Sequence, residues 1–231
     1  MIIVITGTSR GIGRNLAERY LSQGHVVVGC SRNEIDLVHE NYKHFVVDLT
    51  QEKDILAFAK AVKKEYGSVD VLINNAGIAS MNHFMLTPLE TAKKVMDTNF
   101  FAPFVATRAF INCLKKSEAP RVINFSTVAV PFNLDGEMAY ASSKAAVEAM
   151  TKILAKELAS FNITVNAVGP TPVKTFLTAN VPKDKIQNLL DRQAIKRFGE
   201  FEDIGNVIDF YIKPESNFIT GQIIYLGGVN K

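Results

Sequence analysis

Tyr140 and Lys144 stand four residues apart in a stretch of helical period, so both side chains leave one face and can act on one small volume. A phenol near its ordinary pKa of about 10 is a proton donor at neutral pH, and a neighbouring ammonium favours its phenolate. Such a pair can deliver a proton to an oxygen on which negative charge develops, as happens when hydride reaches a carbonyl carbon. Spacing alone carries little weight, since Tyr-x-x-x-Lys also occurs as ordinary helix surface.

A second constellation lies at the start of the chain. Thr6-Gly7-Thr8-Ser9-Arg10-Gly11-Ile12-Gly13 follows the apolar run Ile2 to Ile5 and precedes a helical pattern. Glycines there let the backbone approach a pyrophosphate, and the following helix N-terminus offers unpaired N–H donors. At the end of the second apolar run, where NAD-binding folds place a carboxylate for the ribose hydroxyls, this chain has Gly29-Cys30-Ser31-Arg32. An arginine can grip a 2′-phosphate, and no carboxylate repels it, so NADP(H) is the expected cofactor. Arg10, in the glycine turn, would flank the same phosphate.

The elements that must position these groups follow from periodicity. Apolar, β-branched runs at Ile2 to Ile5, Val26 to Cys30, His44 to Val47, Val69 to Ile73, Arg121 to Phe125, Ile163 to Val168 and Ile223 to Leu226 read as strands. Helical patterns cover Asn15 to Gln23, Ile55 to Tyr66, Thr91 to Leu114 and Tyr140 to Phe161, with Pro103 bending the third or marking its effective start. Alternating strands and helices, with strands apolar on both faces, predict an α/β fold of three layers: a Rossmann-type, doubly wound parallel sheet. No linker interrupts residues 1–231, so a single domain is expected.

Net charge is +3, from 26 basic and 23 acidic residues scattered along the chain, which leaves no footprint for nucleic acid or an anionic membrane. Cys30 and Cys113 lie in apolar stretches without metal-ligand spacing, as expected for reduced thiols and no metal site. With neither a signal peptide nor a membrane-length apolar run, the expected compartment is the cytoplasm.

The wide glycine turn, Asn74-Asn75-Ala76-Gly77 after Val71-Leu72-Ile73, and Tyr140-Ala-Ser-Ser-Lys144-Ala-Ala together resemble the short-chain dehydrogenase/reductase family, in particular its NADP(H)-preferring, 3-oxoacyl-ACP-reductase-like members. The resemblance runs from Ile2 to Gly228. It implies a reductase of ketones or aldehydes, or the reverse reaction, with Tyr140 as proton donor and Lys144 both lowering the tyrosine pKa and holding the nicotinamide ribose. Asn99 takes the place of the family asparagine that holds a relay water. The orienting hydroxyl falls to Thr127, thirteen residues before Tyr140, with Ser126 as the alternative.

By the same resemblance the cofactor meets Gly7, Ser9, Arg10, Gly11, Ile12 and Gly13, then Arg32, Asp48, Leu49, Asn75, Ala76 and Gly77, and at its nicotinamide end Tyr140, Lys144, Val173 and Thr175. Asp48 matches the adenine-binding aspartate. Residues 174–198, including Phe176, Leu177, Leu189 and Leu190, correspond to a substrate lid, and Phe132 and Met138 are expected in the pocket wall. Thr171 in Gly169-Pro170-Thr171-Pro172 departs from the family's Pro-Gly. Family members form dimers or tetramers through the two long helices. The alternative is an NADP(H)-binding sensor or scaffold without turnover, for which only the Thr127 and Thr171 departures speak.

Overall fold

The computed structural model describes residues 1–175, 178–179 and 181–229. Its strands are β1 (Ile2–Thr6), β2 (Val26–Ser31), β3 (Tyr42–Val46), β4 (Val71–Asn74), β5 (Arg121–Phe125), β6 (Thr164–Gly169) and β7 (Ile223–Tyr225). They form one sheet in the order β3-β2-β1-β4-β5-β6-β7, and every neighbouring pair is parallel. The expected doubly wound α/β sheet is thus present, with each strand within two residues of its expected bounds.

A parallel sheet hides its faces under helices, which is why β1, β4, β5 and β6 are buried on both alternations, but for the half-buried Ile2. One face packs Ile3, Ile5, Ile73 and Ile123 against α1 (Gly11–Ser22) and α8 (Phe201–Ile212). The other packs Val4, Leu72, Val122 and Val165 against α2 (Glu52–Tyr66), α4 (Ala102–Leu114) and α6 (Met138–Glu157). The helix α8 was not read from the sequence, although its apolar residues recur at helical spacing in Ile204, Ile208, Tyr211 and Ile212.

Thr91 to Leu114 is not one bent helix. It divides into α3 (Leu89–Met96), a π-helical turn at Asp97–Phe101 and α4, which carries Pro103 at its start. Proline is accommodated in a first turn because no helical acceptor awaits its missing N–H. The π turn has a tertiary cause, since it contains Asn99, whose side chain is tied to Ile78 outside the helix. Between β2 and β3 the chain crosses without a helix, through residues 32–41. Short α5 (Ala129–Phe132) follows β5, and α7 (Lys183–Asp191) lies in the expected lid. Phe176 and Leu177 of that lid lie outside the described residues.

Candidate active site

One cleft of about 920 Å³ runs along the carboxyl ends of the strands, where the order reverses on either side of β1. That switch point leaves a crevice because consecutive crossovers turn away from each other. Gly7, Ser9, Arg10, Gly11, Ile12 and Gly13 line one end with Arg32, Asp48 and Leu49. Asn75, Ala76 and Gly77 line the middle, and Ser126, Thr127, Tyr140, Lys144, Val173 and Thr175 the far end. Every expected catalytic and cofactor-binding residue but Asn99 therefore reaches this wall.

The glycine turn is held from two sides. Gly7 and Thr8 N–H groups donate to the Cys30 carbonyl, and Asn75 Nδ2 donates to the Thr6 and Gly7 carbonyls at 2.9 and 3.2 Å. Gly13 is required by close approach, since a Cβ there would sit 2.2 Å from the Gly7 oxygen. Helix α1 then opens with no side-chain cap at Arg10 and no acid in its first turn, so its leading N–H groups and positive dipole end are available to an anion. The two asparagines divide their work. Asn74 is buried between Thr107 and Asn124, bracing the sheet, while Asn75 faces the turn and cleft.

At the far end Lys144 is 4% exposed, and its Nζ donates to the Phe125 carbonyl at 2.9 Å. Burial lowers its pKa to about 8. Desolvation pushes the Tyr140 phenol up to about 12, opposed by a hydrogen bond with the Thr127 hydroxyl and reinforced by the Glu137 carboxylate. Asn99 approaches from behind. Its Nδ2 donates to the Ile78 carbonyl and Ser143 Oγ, and its Oδ1 accepts from the Ile78 N–H. Gly77 completes this corner, because a Cβ on it would stand 3.3 Å from Asn99 Oδ1 and 3.5 Å from Lys144 Nζ.

The two hydroxyl candidates part company. Ser126 Oγ is committed at 2.5 Å to the buried Glu148 carboxylate, which also accepts from the Tyr225 hydroxyl. Thr127 Oγ1 accepts from the Ala129 N–H at 3.2 Å and lies near enough to the Tyr140 phenol to lower its pKa. Ser143, Glu148 and Tyr225 were missed in the sequence. Ser143 and Glu148 lie on the same helix as Tyr140, at offsets whose significance appears only through partners on other elements.

Asp48 turns its carboxylate onto the Thr50 N–H and hydroxyl, which with the nearby Arg32 lowers its pKa. Thr171 is buried in the cleft wall with its hydroxyl unpartnered among the described residues. Phe132 and Met138 do not line the cleft. Arg192 lies over the Phe132 ring at 4.3 Å and bonds its carbonyl, so Phe132 supports the lid edge, while Met138 is 42% exposed. Leu134, Val181, Ile186 and Leu189 form the apolar wall instead.

Residues 1–186 match the family profile of the short chain dehydrogenases. The chain belongs to that family. It is 32% identical over 233 residues to the 3-oxoacyl-[acyl-carrier-protein] reductase FabG of Vibrio cholerae, covering 98% of this chain and 96% of that one. The enzyme of the same name from Escherichia coli K12 is 31% identical over the same coverage. Among solved structures, Thermoplasma acidophilum aldohexose dehydrogenase in ligand-free form superposes with a TM-score of 0.89 at 29% identity, over 99% of this chain and 93% of that one. A 4-hydroxyisoleucine dehydrogenase complexed with NADH gives 0.91 at 27%, over 99% and 98%. This short chain dehydrogenase is accordingly an oxidoreductase of the nicotinamide-cofactor class. The uncapped start of α1 and the Gly13 contact fit a dinucleotide pyrophosphate, and the Gly77 corner brings Lys144 to the opposite end of the same cleft.

Proposed function

We propose that this short chain dehydrogenase reduces a ketone or aldehyde to an alcohol with NADPH, and catalyses the reverse reaction with NADP⁺. The observation that carries the reading is the convergence of Tyr140, Thr127 and Lys144 at one end of a cleft whose other end presents an uncapped helix start, Arg10 and Arg32. Gly7 to Gly13 would hold the pyrophosphate, Arg10 and Arg32 the 2′-phosphate, Asp48 and Leu49 the adenine side, and Val173 and Thr175 the nicotinamide end. The bound nicotinamide supplies hydride for reduction and takes it up for oxidation.

Thr127 and Tyr140 would share the carbonyl oxygen. A phenol with its pKa near 12 stays protonated through the neutral range, the state needed to donate to an oxygen gaining negative charge. Lys144, tethered to Phe125 at the same end of the cleft, would supply the ammonium that favours the phenolate left behind. Asn99, locked to Ile78 and Ser143, would steady the corner through which that proton is replaced. Ser126 is already occupied by Glu148, which favours Thr127 as the orienting hydroxyl.

Assembly into dimers or tetramers through the two long helical segments is supported by the exposed Phe101, Phe104, Ile153 and Phe161. A cytoplasmic setting is supported by the free, buried Cys30 and Cys113.

The test is NADPH oxidation over a panel of ketones and aldehydes, with wild type and Tyr140→Phe. Turnover is expected to fall by about 10²-fold or more in the variant, while fluorescence titration shows NADPH binding unchanged and tighter than NADH. Wild-type rates in Tyr140→Phe would remove the proton donor, and tighter binding of NADH would remove the NADPH assignment.

A further inference from the structure

Glu137 is an ionisable side chain in the cleft wall that the proton transfer leaves unused. It sits one helical turn before Tyr140 at the N-terminal edge of α6, beside the apolar wall of Leu134, Ile186 and Leu189. Its backbone is fixed at both ends, the N–H donating to the Leu134 carbonyl at 3.2 Å and the carbonyl accepting from Ala141 at 2.7 Å. Its carboxylate, by contrast, makes no hydrogen bond or ion pair among the described residues.

The carboxylate is nevertheless located by its neighbours. It lies within electrostatic reach of the Tyr140 hydroxyl, whose pKa it raises, and of the Lys185 ammonium on α7, which favours its ionised form. Burial works against that ionised form. A part-dehydrated acceptor without donors is left short of the hydrogen bonds it would have in water, and a ligand that brings a donor restores them.

We propose that Glu137 is a substrate-recognition residue: its carboxylate accepts a hydrogen bond from a hydroxyl or ammonium one or two carbons from the reacting carbonyl, selecting donor-bearing substrates over apolar or anionic ones. This rests on the reductase reading above. Side chains at i and i+3 leave a helix with their Cβ atoms roughly 5–6 Å apart, close enough for the phenol and the carboxylate to converge on two neighbouring groups of one small molecule. Lys185 stands as the competing recognition group for an anionic substituent, so charge sign separates the two.

Four methyl ketones of nearly equal size make the test: butanone, hydroxyacetone, aminoacetone and pyruvate, assayed with NADPH. In the wild type, kcat/KM for hydroxyacetone and aminoacetone is expected to exceed that for butanone by about tenfold or more, as for a hydrogen bond to a charged acceptor, with pyruvate lowest. Glu137→Gln, which keeps a neutral acceptor, retains the hydroxyacetone preference and loses that for aminoacetone. Glu137→Leu brings both down to the butanone level.

An unchanged ranking in Glu137→Leu overturns the proposal, as does a wild type that prefers pyruvate and loses that preference in Lys185→Ala. Binding of each ketone to the NADP⁺-loaded protein, a dead-end complex followed by its rise in melting temperature, reads the subsite without turnover. Donor selectivity in binding with no NADPH oxidation supports the subsite and sinks the reductase reading. Oxidation without donor selectivity sinks the subsite alone, and binding that is equally unselective in wild type and Glu137→Leu sinks it as well.

Discussion

Lys144 is held where an ammonium is least comfortable, buried to 4% exposure with the Phe125 carbonyl as its bonded neighbour. Its pKa falls from 10.5 to about 8 because burial disfavours charge. The unfolded chain keeps the ordinary value, so below about pH 8 the lysine is protonated in both states and the burial penalty is fully present. Between about pH 8 and 10.5 the unfolded state binds more protons, and stability rises with pH. That penalty is on the order of 3 kcal/mol, offset by roughly 1 kcal/mol for the bond to Phe125. Lys144→Met is therefore expected to be inactive yet to melt higher at neutral pH, with the gain shrinking as pH climbs toward 10.5. Melting curves across that range check it, and a gain independent of pH would contradict the cause assigned.

At the scale of elements, the site is assembled by ties between helices and strand ends. Glu148 draws the end of β5 and the aromatic ring of β7 onto α6 through Ser126 and Tyr225. Asn99 fixes the π turn to Ile78 and to α6 through Ser143. A third tie lies at the opposite end of β5. Arg121 is 1% exposed, and its guanidinium donates to the carbonyls of Pro120, Tyr211 and Lys213, two of them at the C-terminal end of α8. A cation there meets the negative end of the helix dipole and satisfies carbonyls that have no helical donor. Arg121→Met would keep much of the volume and strand these acceptors, at a loss of about 2–4 kcal/mol. Urea denaturation should show a lower midpoint with α8 detached first in hydrogen exchange. An unchanged midpoint would show that water replaces the guanidinium.

For the molecule as a whole, the sheet order places both functional ends in one cleft, and the outer faces of the long helical segments carry exposed apolar side chains. Phe101 is 49% exposed, Phe104 42% and Ile153 55%. Separately they are ordinary surface residues, but gathered on the segments flanking the active site they suit self-association. Sedimentation velocity is expected to show a dimer or tetramer in the wild type and a smaller species for Ile153→Asp combined with Phe104→Asp. A monomeric wild type at micromolar concentration would remove this face from consideration. The described helices include none long and apolar enough to cross a membrane.

The sequence by itself determined the strands, the glycine turn and the Tyr140–Lys144 spacing, because each depends on periodicity or on backbone freedom within a few residues. It also determined that α/β alternation would yield a parallel sheet, since crossover helices bury both faces. Only the tertiary structure decided which of two adjacent hydroxyls, Ser126 or Thr127, faces Tyr140. Successive residues leave an extended chain on opposite sides, and the choice was made by Glu148 of α6, whose carboxylate accepts from Ser126 and from Tyr225 of β7. It likewise broke residues 91–114 at Asn99, whose partner Ile78 lies 21 residues earlier. Glu137 shows the same division: its type is plain in the sequence, but its place between Tyr140 and Lys185 depends on α7 folding back over the cleft.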